Sequence, residues 1–98
     1  MVKHIVLWKL KDEAEGNDKD TNMRIIKERL EALVGVVPGL LKLEVGFNYV
    51  KNDFDLCLYS EFVSNEALEN YDSHPAHLAV REFVSKVRLD RIACNYEI

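Results

Sequence analysis

A chain of 98 residues has the length of one small domain, and 48% hydrophobic with 31% charged residues is typical of a soluble globular protein. A formal net charge of −4 argues against a nucleic-acid partner, and no apolar run is long enough to cross a membrane. The N-terminus lacks the apolar segment and cleavage site of a signal peptide. Cys57 and Cys94 lie in apolar stretches without metal-ligand spacing, which predicts buried, reduced thiols in a cytoplasmic protein.

The first half of the chain predicts a strand, a polar loop and a helix. Lys3 to Lys11 is apolar and β-branched without a helical period, which indicates a strand. One face of this strand carries His4, Val6, Trp8 and Leu10. Asp12 to Asp20 is a polar loop that offers Asp18, Asp20 and Thr21 as candidate helix caps. The next helix is predicted to reach about Val37, because Met23, Ile26, Leu30, Leu33 and Val37 follow the spacing of one buried stripe.

The second half predicts a hairpin, an interrupted helix and a last strand. Pro38-Gly39 turns the chain into a strand over Leu40 to Tyr49, and a short turn leads to another over Phe54 to Val63. The second strand is predicted to have one apolar face made of Leu41, Leu43, Val45, Phe47 and Tyr49. Proline at position 75 predicts that the helix after Ser64 breaks and restarts, with Ser73 or His74 as the new cap. The last strand is predicted from Arg88 to Ile98.

The resulting order, βαββαβ, predicts a single α+β domain over residues 1–98 with a ferredoxin-like fold. In this fold an antiparallel sheet carries both helices on one face. The opposite face would then expose Ile5, Leu7, Cys57 and Tyr59. An uncovered apolar sheet face usually marks an interface, and a second copy of the same sheet is its simplest cover. We therefore expect a homodimer.

Several short segments resemble one known family across essentially the whole chain. These are Val2 to Leu7, Val37-Pro38-Gly39, Glu44-Val45-Gly46, Tyr71 to His77, and Asn95-Tyr96-Glu97. Together they are similar to the stress-responsive A/B barrel (Dabb) family, whose ferredoxin-like protomers pair into a dimeric α/β barrel. The family includes plant stress proteins without an agreed activity. It also includes olivetolic acid cyclase, which closes a linear polyketide by aldol condensation without a metal or an organic cofactor.

The resemblance to that cyclase implies roles for three residues. His77 takes the position of the general base, Tyr71 that of the residue assisting it, and His4 that of a histidine lining the pocket. We expect the pocket to be completed by Val6, Trp8, Leu58 and His74. The resemblance implies no cofactor and no metal.

The residue types themselves suit this chemistry. Histidine has a pKa near neutral pH and can abstract a proton next to a carbonyl, and a tyrosine hydroxyl can donate a hydrogen bond to the enolate that forms. A structural interpretation stays open, in which His74 only caps a helix and His77 only bonds a backbone carbonyl. A zinc site built from the three histidines is disfavoured, because no pair has helical i, i+4 spacing.

The sequence also departs from the family pattern. Asn95 stands where the family usually has aspartate, and Arg91 and Ala93 differ from the more apolar or larger residues of the cyclase. Trp8 replaces a smaller aliphatic residue on the side of the strand that faces the pocket. The resemblance therefore implies the fold and not a particular substrate.

Two classes of function stay open, with a third in reserve. The first is a cofactor-independent, cyclase- or lyase-like enzyme, or a binder, acting on a small hydrophobic, phenolic or β-keto ligand. The second is a non-catalytic binding or assembly protein of a stress response. The third is a monooxygenase on the same barrel, since a fold does not fix a function. A cavity of at least about 300 Å³ reached by His77 and Tyr71 favours the first class. A site filled by Trp8 favours the second.

Overall fold

The computed structural model describes all 98 residues and confirms the predicted ferredoxin-like α+β fold. Its strands are β1 (Val2–Leu10), β2 (Glu13–Ala14), β3 (Asn17–Asp18), β4 (Leu40–Phe47), β5 (Leu56–Phe62) and β6 (Arg88–Glu97). Its helices are α1 (Lys19–Glu31), α2 (Asn65–Ser73) and α3 (Pro75–Val87). The main sheet has the order β4-β5-β1-β6, with every neighbouring pair antiparallel. No helix has the length and apolar character needed to span a membrane.

The core lies between the helices and one face of this sheet. Along β1 and β5, buried residues alternate strictly with half-buried ones, as the twofold period of a strand requires. The buried face of the sheet meets the stripe predicted for the first helix, and Met23, Ile26, Leu30, Leu33 and Val37 are all buried. The helix-facing side of β1 is therefore fixed, and it carries His4 and Trp8 beneath the helices.

The first helix is shorter than its apolar spacing predicts. Of the three candidate caps, Asp18 fills the position, and its carboxylate accepts a hydrogen bond from the amide of Thr21 at 2.8 Å. The helix ends at Glu31 rather than near Val37. Turns follow, and Gly35 has a φ of +89°, a conformation that an α-helix does not contain. Leu33 and Val37 lie in these turns and not in the helix, but they are apolar because the turns also pack on the core.

The loop before this helix contains a small hairpin, β2–β3, that the sequence pattern did not predict. Its two turn residues, Glu15 and Gly16, both have positive φ, as a tight hairpin turn of this kind requires. Fully buried Asn22 ties the hairpin to α1, since its amide donates to the carbonyl of Ala14 at 3.1 Å and its oxygen accepts from Asn17 at 3.1 Å.

The prediction of an apolar face over alternate residues of β4 is wrong at both of its ends. A register shift between Leu40 and Lys42 places Leu40 in the core and leaves Leu41 exposed. The strand stops at Phe47, so Tyr49 lies beyond the sheet and is 95% exposed. Just before the strand, Gly39 has a φ of +81° and no room for a side chain against α2, which explains why the turn uses glycine there.

The predicted break at Pro75 is confirmed. His74 is extended, with φ −65° and ψ 132°, and it separates α2 from α3. Its Nδ1 accepts a hydrogen bond from the amide of Ala76 at 3.1 Å, so His74 caps α3 while Pro75 occupies the first turn. The residue before a proline avoids the helical region, which is the physical cause of the break.

Replacing this cap is expected to weaken the fold. His74→Ala removes the acceptor of a helix N-terminus and should lower the free energy of unfolding by about 1 kcal/mol. His74→Asn should retain most of it, because asparagine is a favoured cap. Urea denaturation followed by circular dichroism measures both variants. Equal stability of the alanine variant and the natural chain would contradict this role.

The face of the sheet opposite the helices has no cover within the chain. We call it the open face. It carries Ile5, Leu7, Cys57, Tyr59, Ile92, Cys94 and Tyr96. Both cysteines are free, as predicted, but the prediction that they are buried is wrong for the single chain, because Cys57 is half-buried and Cys94 is exposed. Their apolar sequence surroundings reflect the open face and an edge strand rather than the core.

Candidate functional site

A cavity of about 270 Å³ opens between the sheet and α3. Its wall includes six of the seven residues predicted for the site, namely His4, Val6, Trp8, Leu58, Tyr71 and His77. The other lining residues are Leu30, Asp72, Val80, Arg81, Val84, Ser85, Arg88 and Arg91. Trp8 forms part of the wall and does not fill the space. The volume is slightly below the ~300 Å³ expected of a pocket that takes small molecules.

His74, the seventh residue predicted for the site, does not line this cavity. Its Nδ1 instead accepts the hydrogen bond that caps α3. The structural interpretation therefore holds for His74. No group of three or more His, Cys, Asp or Glu side chains is placed to hold a metal ion.

The helix break brings Tyr71 and His77 together. Six residues apart in one straight helix, they would lie about 9 Å apart along the axis. Because α2 ends at Ser73 and α3 starts in a new direction, the two rings instead stack, with centroids 4.0 Å apart and planes at 30°. The helix break at Pro75 therefore brings the Tyr71 and His77 rings into contact, although Pro75 itself does not line the cavity.

One nitrogen of His77 is bonded within the protein and the other is not. Nδ1 lies 3.3 Å from the carbonyl oxygen of Asp72. A carbonyl only accepts, so Nδ1 carries the proton and Nε2 keeps a lone pair. The His77 side chain lines the cavity, and its Nε2 makes no hydrogen bond within the chain.

His4 has the same arrangement on the opposite wall. It is only 6% exposed, and its Nδ1 donates to the side-chain oxygen of Asn95 on the neighbouring strand at 2.5 Å. Asn95 therefore supplies the acceptor that an aspartate would supply, without its negative charge. The Nε2 atom of His4 has no protein partner, and no fully buried side-chain polar atom in the protein lacks one. This nitrogen is thus reached from the cavity.

Burial keeps both imidazoles neutral. Desolvation lowers the pKa of His77 below its ordinary value of 6.5, against the opposing effect of its bond to the Asp72 carbonyl. Desolvation also lowers the pKa of His4, with the Asn95 hydrogen bond opposing it. At pH 7 both rings therefore offer a lone pair, which is the form that a general base needs.

Tyr71 is the complementary donor. It is 1% exposed, packs edge to face on Phe62 at 5.1 Å, and lies 6.3 Å from the His4 ring. Burial raises the pKa of its hydroxyl, so the group stays protonated across the physiological range. Its hydroxyl makes no hydrogen bond within the chain, and no fully buried side-chain polar atom is left unpartnered, so it is open to the cavity.

The sequence-based prediction missed the charged rim of the cavity. Arg81 follows His77 by four residues on α3, a spacing that places both on one helix face and was available as a signal. Arg91 lies opposite Trp8 in the β1–β6 pairing. Ser85 and Arg88 also belong to this polar rim. Asp72 is the single acidic residue of the lining.

The structure is a ferredoxin-like domain with a histidine-lined cavity between its sheet and its helices. The chain belongs to the stress responsive A/B barrel domain family, whose match covers residues 2–98. No protein of curated function matches it.

Solved structures agree with this assignment. A dimeric protein of unknown function from Bacteroides fragilis is 35% identical, with a TM-score of 0.89 and coverage of 99% of this chain and 95% of its own. A Dabb family protein from Mesorhizobium loti is 20% identical, with a TM-score of 0.78 and coverage of 99% and 95%. A hydroxynitrile lyase from Passiflora edulis is 20% identical, with a TM-score of 0.80 and coverage of 99% and 92%. The last two likenesses show the fold alone.

Proposed function

We propose that the protein is a cofactor-independent enzyme that removes a proton from the carbon next to a carbonyl group in a small, largely apolar ligand. The observation that carries the proposal is the stacked pair of Tyr71 and His77 at the cavity wall, with a free donor on one ring and a free acceptor on the other. The neighbour from Passiflora edulis is named a hydroxynitrile lyase, so a protein of this fold can be an enzyme.

Each residue has one role in this reaction. Nε2 of His77 takes the proton as the carbon–hydrogen bond breaks, and the electron pair moves onto the carbonyl oxygen to give an enolate. The Tyr71 hydroxyl donates a hydrogen bond to that oxygen, where the negative charge develops. The lone pair of His4 accepts from a hydroxyl or enol of the ligand and positions it. The enolate then attacks a second carbonyl or regains a proton.

We also propose that the protein works as a homodimer through its open face. Ile92 and Tyr96 on this face are 49% and 46% exposed in the single chain. The neighbouring polar cluster is internally paired, since Lys3 contacts Tyr59 at 2.6 Å and Glu61 at 2.7 Å. A face of apolar residues and neutralised charges suits burial against a second copy. The relative from Bacteroides fragilis is described as dimeric.

Deuterium uptake by a simple ketone tests the catalytic proposal. 2-Indanone is a small, neutral, aromatic ketone, and NMR in D2O follows the loss of its α-proton signal. We expect the protein to speed this exchange well beyond an equal concentration of free imidazole, because the site fixes a neutral base beside a donor. Exchange no faster than with imidazole would leave the non-catalytic binding function in its place.

Tyr71→Phe should slow the exchange by about 10- to 100-fold, because it removes one hydrogen bond to a charged oxygen worth about 1.5–3 kcal/mol. The phenyl ring keeps the stacking on His77, so the fold should be retained. The rate comes from the same NMR measurement, with circular dichroism as the check on folding. An unchanged rate would mean that another group stabilises the enolate.

A further inference from the structure

Three arginines surround the cavity, and none has a partner of opposite charge. Arg81, Arg88 and Arg91 all line it, and they are three of the five arginines in the chain. The protein's ion pairs are made by lysines, and none of them includes these arginines. With both histidines neutral, the three arginines and Asp72 give the lining a formal charge of +2. The protein as a whole carries −4.

The arginines border the apolar part of the wall. Arg81 and Arg88 lie on and just after α3, and Arg91 projects from β6 on the side that faces the helices. The apolar part of the wall is formed by Val6, Trp8, Leu30, Leu58, Val80 and Val84. Such a cavity suits a ligand that has both an apolar body and an anionic group. Binding an anion here breaks no existing ion pair, because the three arginines form none.

We propose that the cavity takes a small organic carboxylate, with the carboxylate held by Arg81, Arg88 and Arg91 and the apolar or aromatic body packed against Trp8. Guanidinium groups match the planar, bidentate geometry of a carboxylate better than ammonium groups do, and the lining has no lysine. The inference rests on the proposed function for the reaction at the ligand's carbonyl group, and it makes the substrate an aryl or alkyl keto acid. Binding itself does not depend on turnover.

Trp8 provides a direct signal for the test, since it is the single tryptophan of the chain and lines the cavity. Its fluorescence is titrated with 3-phenylpropanoate and, separately, with 3-phenylpropanamide, which has nearly the same shape without the charge. We expect the carboxylate to bind at least about tenfold more tightly than the amide, as charge-assisted hydrogen bonds imply. The preference should shrink as salt is raised from 0.05 to 0.5 M, because ions screen exposed arginines.

Single substitutions assign the carboxylate to the arginines. Arg91→Gln and Arg81→Gln should each remove most of the preference for the carboxylate while leaving amide binding unchanged. Arg24→Gln is the matched control, since Arg24 lies on α1 outside the cavity and should change nothing. His77→Gln should keep the preference, so loss of catalysis and loss of anion recognition are separable.

Several results would overturn the inference. One is equal affinity for acid and amide, and another is an unaltered preference in both arginine variants. The absence of any fluorescence change with the carboxylate at millimolar concentration would also do so. If 2-indanone exchange is catalysed in that case, the proposed function stands and the ligand is neutral.

Discussion

Replacing His77 with alanine is expected to slow the deuteration of 2-indanone by about 10²- to 10⁴-fold, which is the usual contribution of a positioned general base. The side chain is half-buried at the cavity wall and makes a single hydrogen bond, to the Asp72 carbonyl, so its loss should leave the fold intact. The rate is measured by NMR in D2O and normalised to the folded fraction from circular dichroism.

His74→Asn is the matched control for this substitution. It changes a histidine three residues away that lies outside the cavity and keeps the cap of α3, so exchange should proceed at the natural rate. Equal rates for the natural chain and His77→Ala would remove His77 from the reaction. The dependence would then fall on His4, the other neutral imidazole of the cavity.

The pH profile gives a second, independent sign of the same base. Because burial lowers the pKa of His77, the lone pair persists below pH 6.5, and the exchange rate should fall only at a more acidic midpoint. The free energy of unfolding should also fall as the pH is lowered. The unfolded chain binds protons at its histidines near pH 6.5 while the folded chain resists, so the free energy of unfolding falls as pH drops below that value.

The elements predicted correctly from the sequence are those set by the regular spacing of apolar residues or by a proline. Alternate residues of β1 and the apolar stripe of α1 are buried in the structure, as their spacing predicts. Pro75 acts on its immediate neighbour, so the break between α2 and α3 also follows from local sequence.

The errors arise where local rules compete. The apolar spacing of α1 continues past its end because Leu33 and Val37 pack on the core from turns that Gly35 permits. In β4 a register shift changes which residues face the core, and a pattern of alternation cannot show it.

Sequence reasoning named three polar residues that line the cavity, misplaced His74, and missed the arginines. His4, Tyr71 and His77 came from a resemblance, and the structure places all three on one cavity. Arg88 and Arg91 reach the same cavity only because the chain leaves α3 and enters β6 beside β1. That is a tertiary relation, and residue spacing along the chain does not express it.

Leu7→Glu is expected to convert the proposed dimer into monomers. Leu7 lies at the centre of the open face, paired with Cys57 on one side and Ile92 on the other. A carboxylate there would lose its water on association without gaining a partner, so we expect the dimer dissociation constant to rise by at least about 100-fold, or about 3 kcal/mol. Light scattering at micromolar concentration measures the mass.

Leu78→Glu is the control, because Leu78 is an exposed leucine on α3 and its replacement should leave the dimer intact. A natural chain that is monodisperse as a monomer at that concentration, or a Leu7→Glu variant that stays dimeric, would show that the open face does not join two copies.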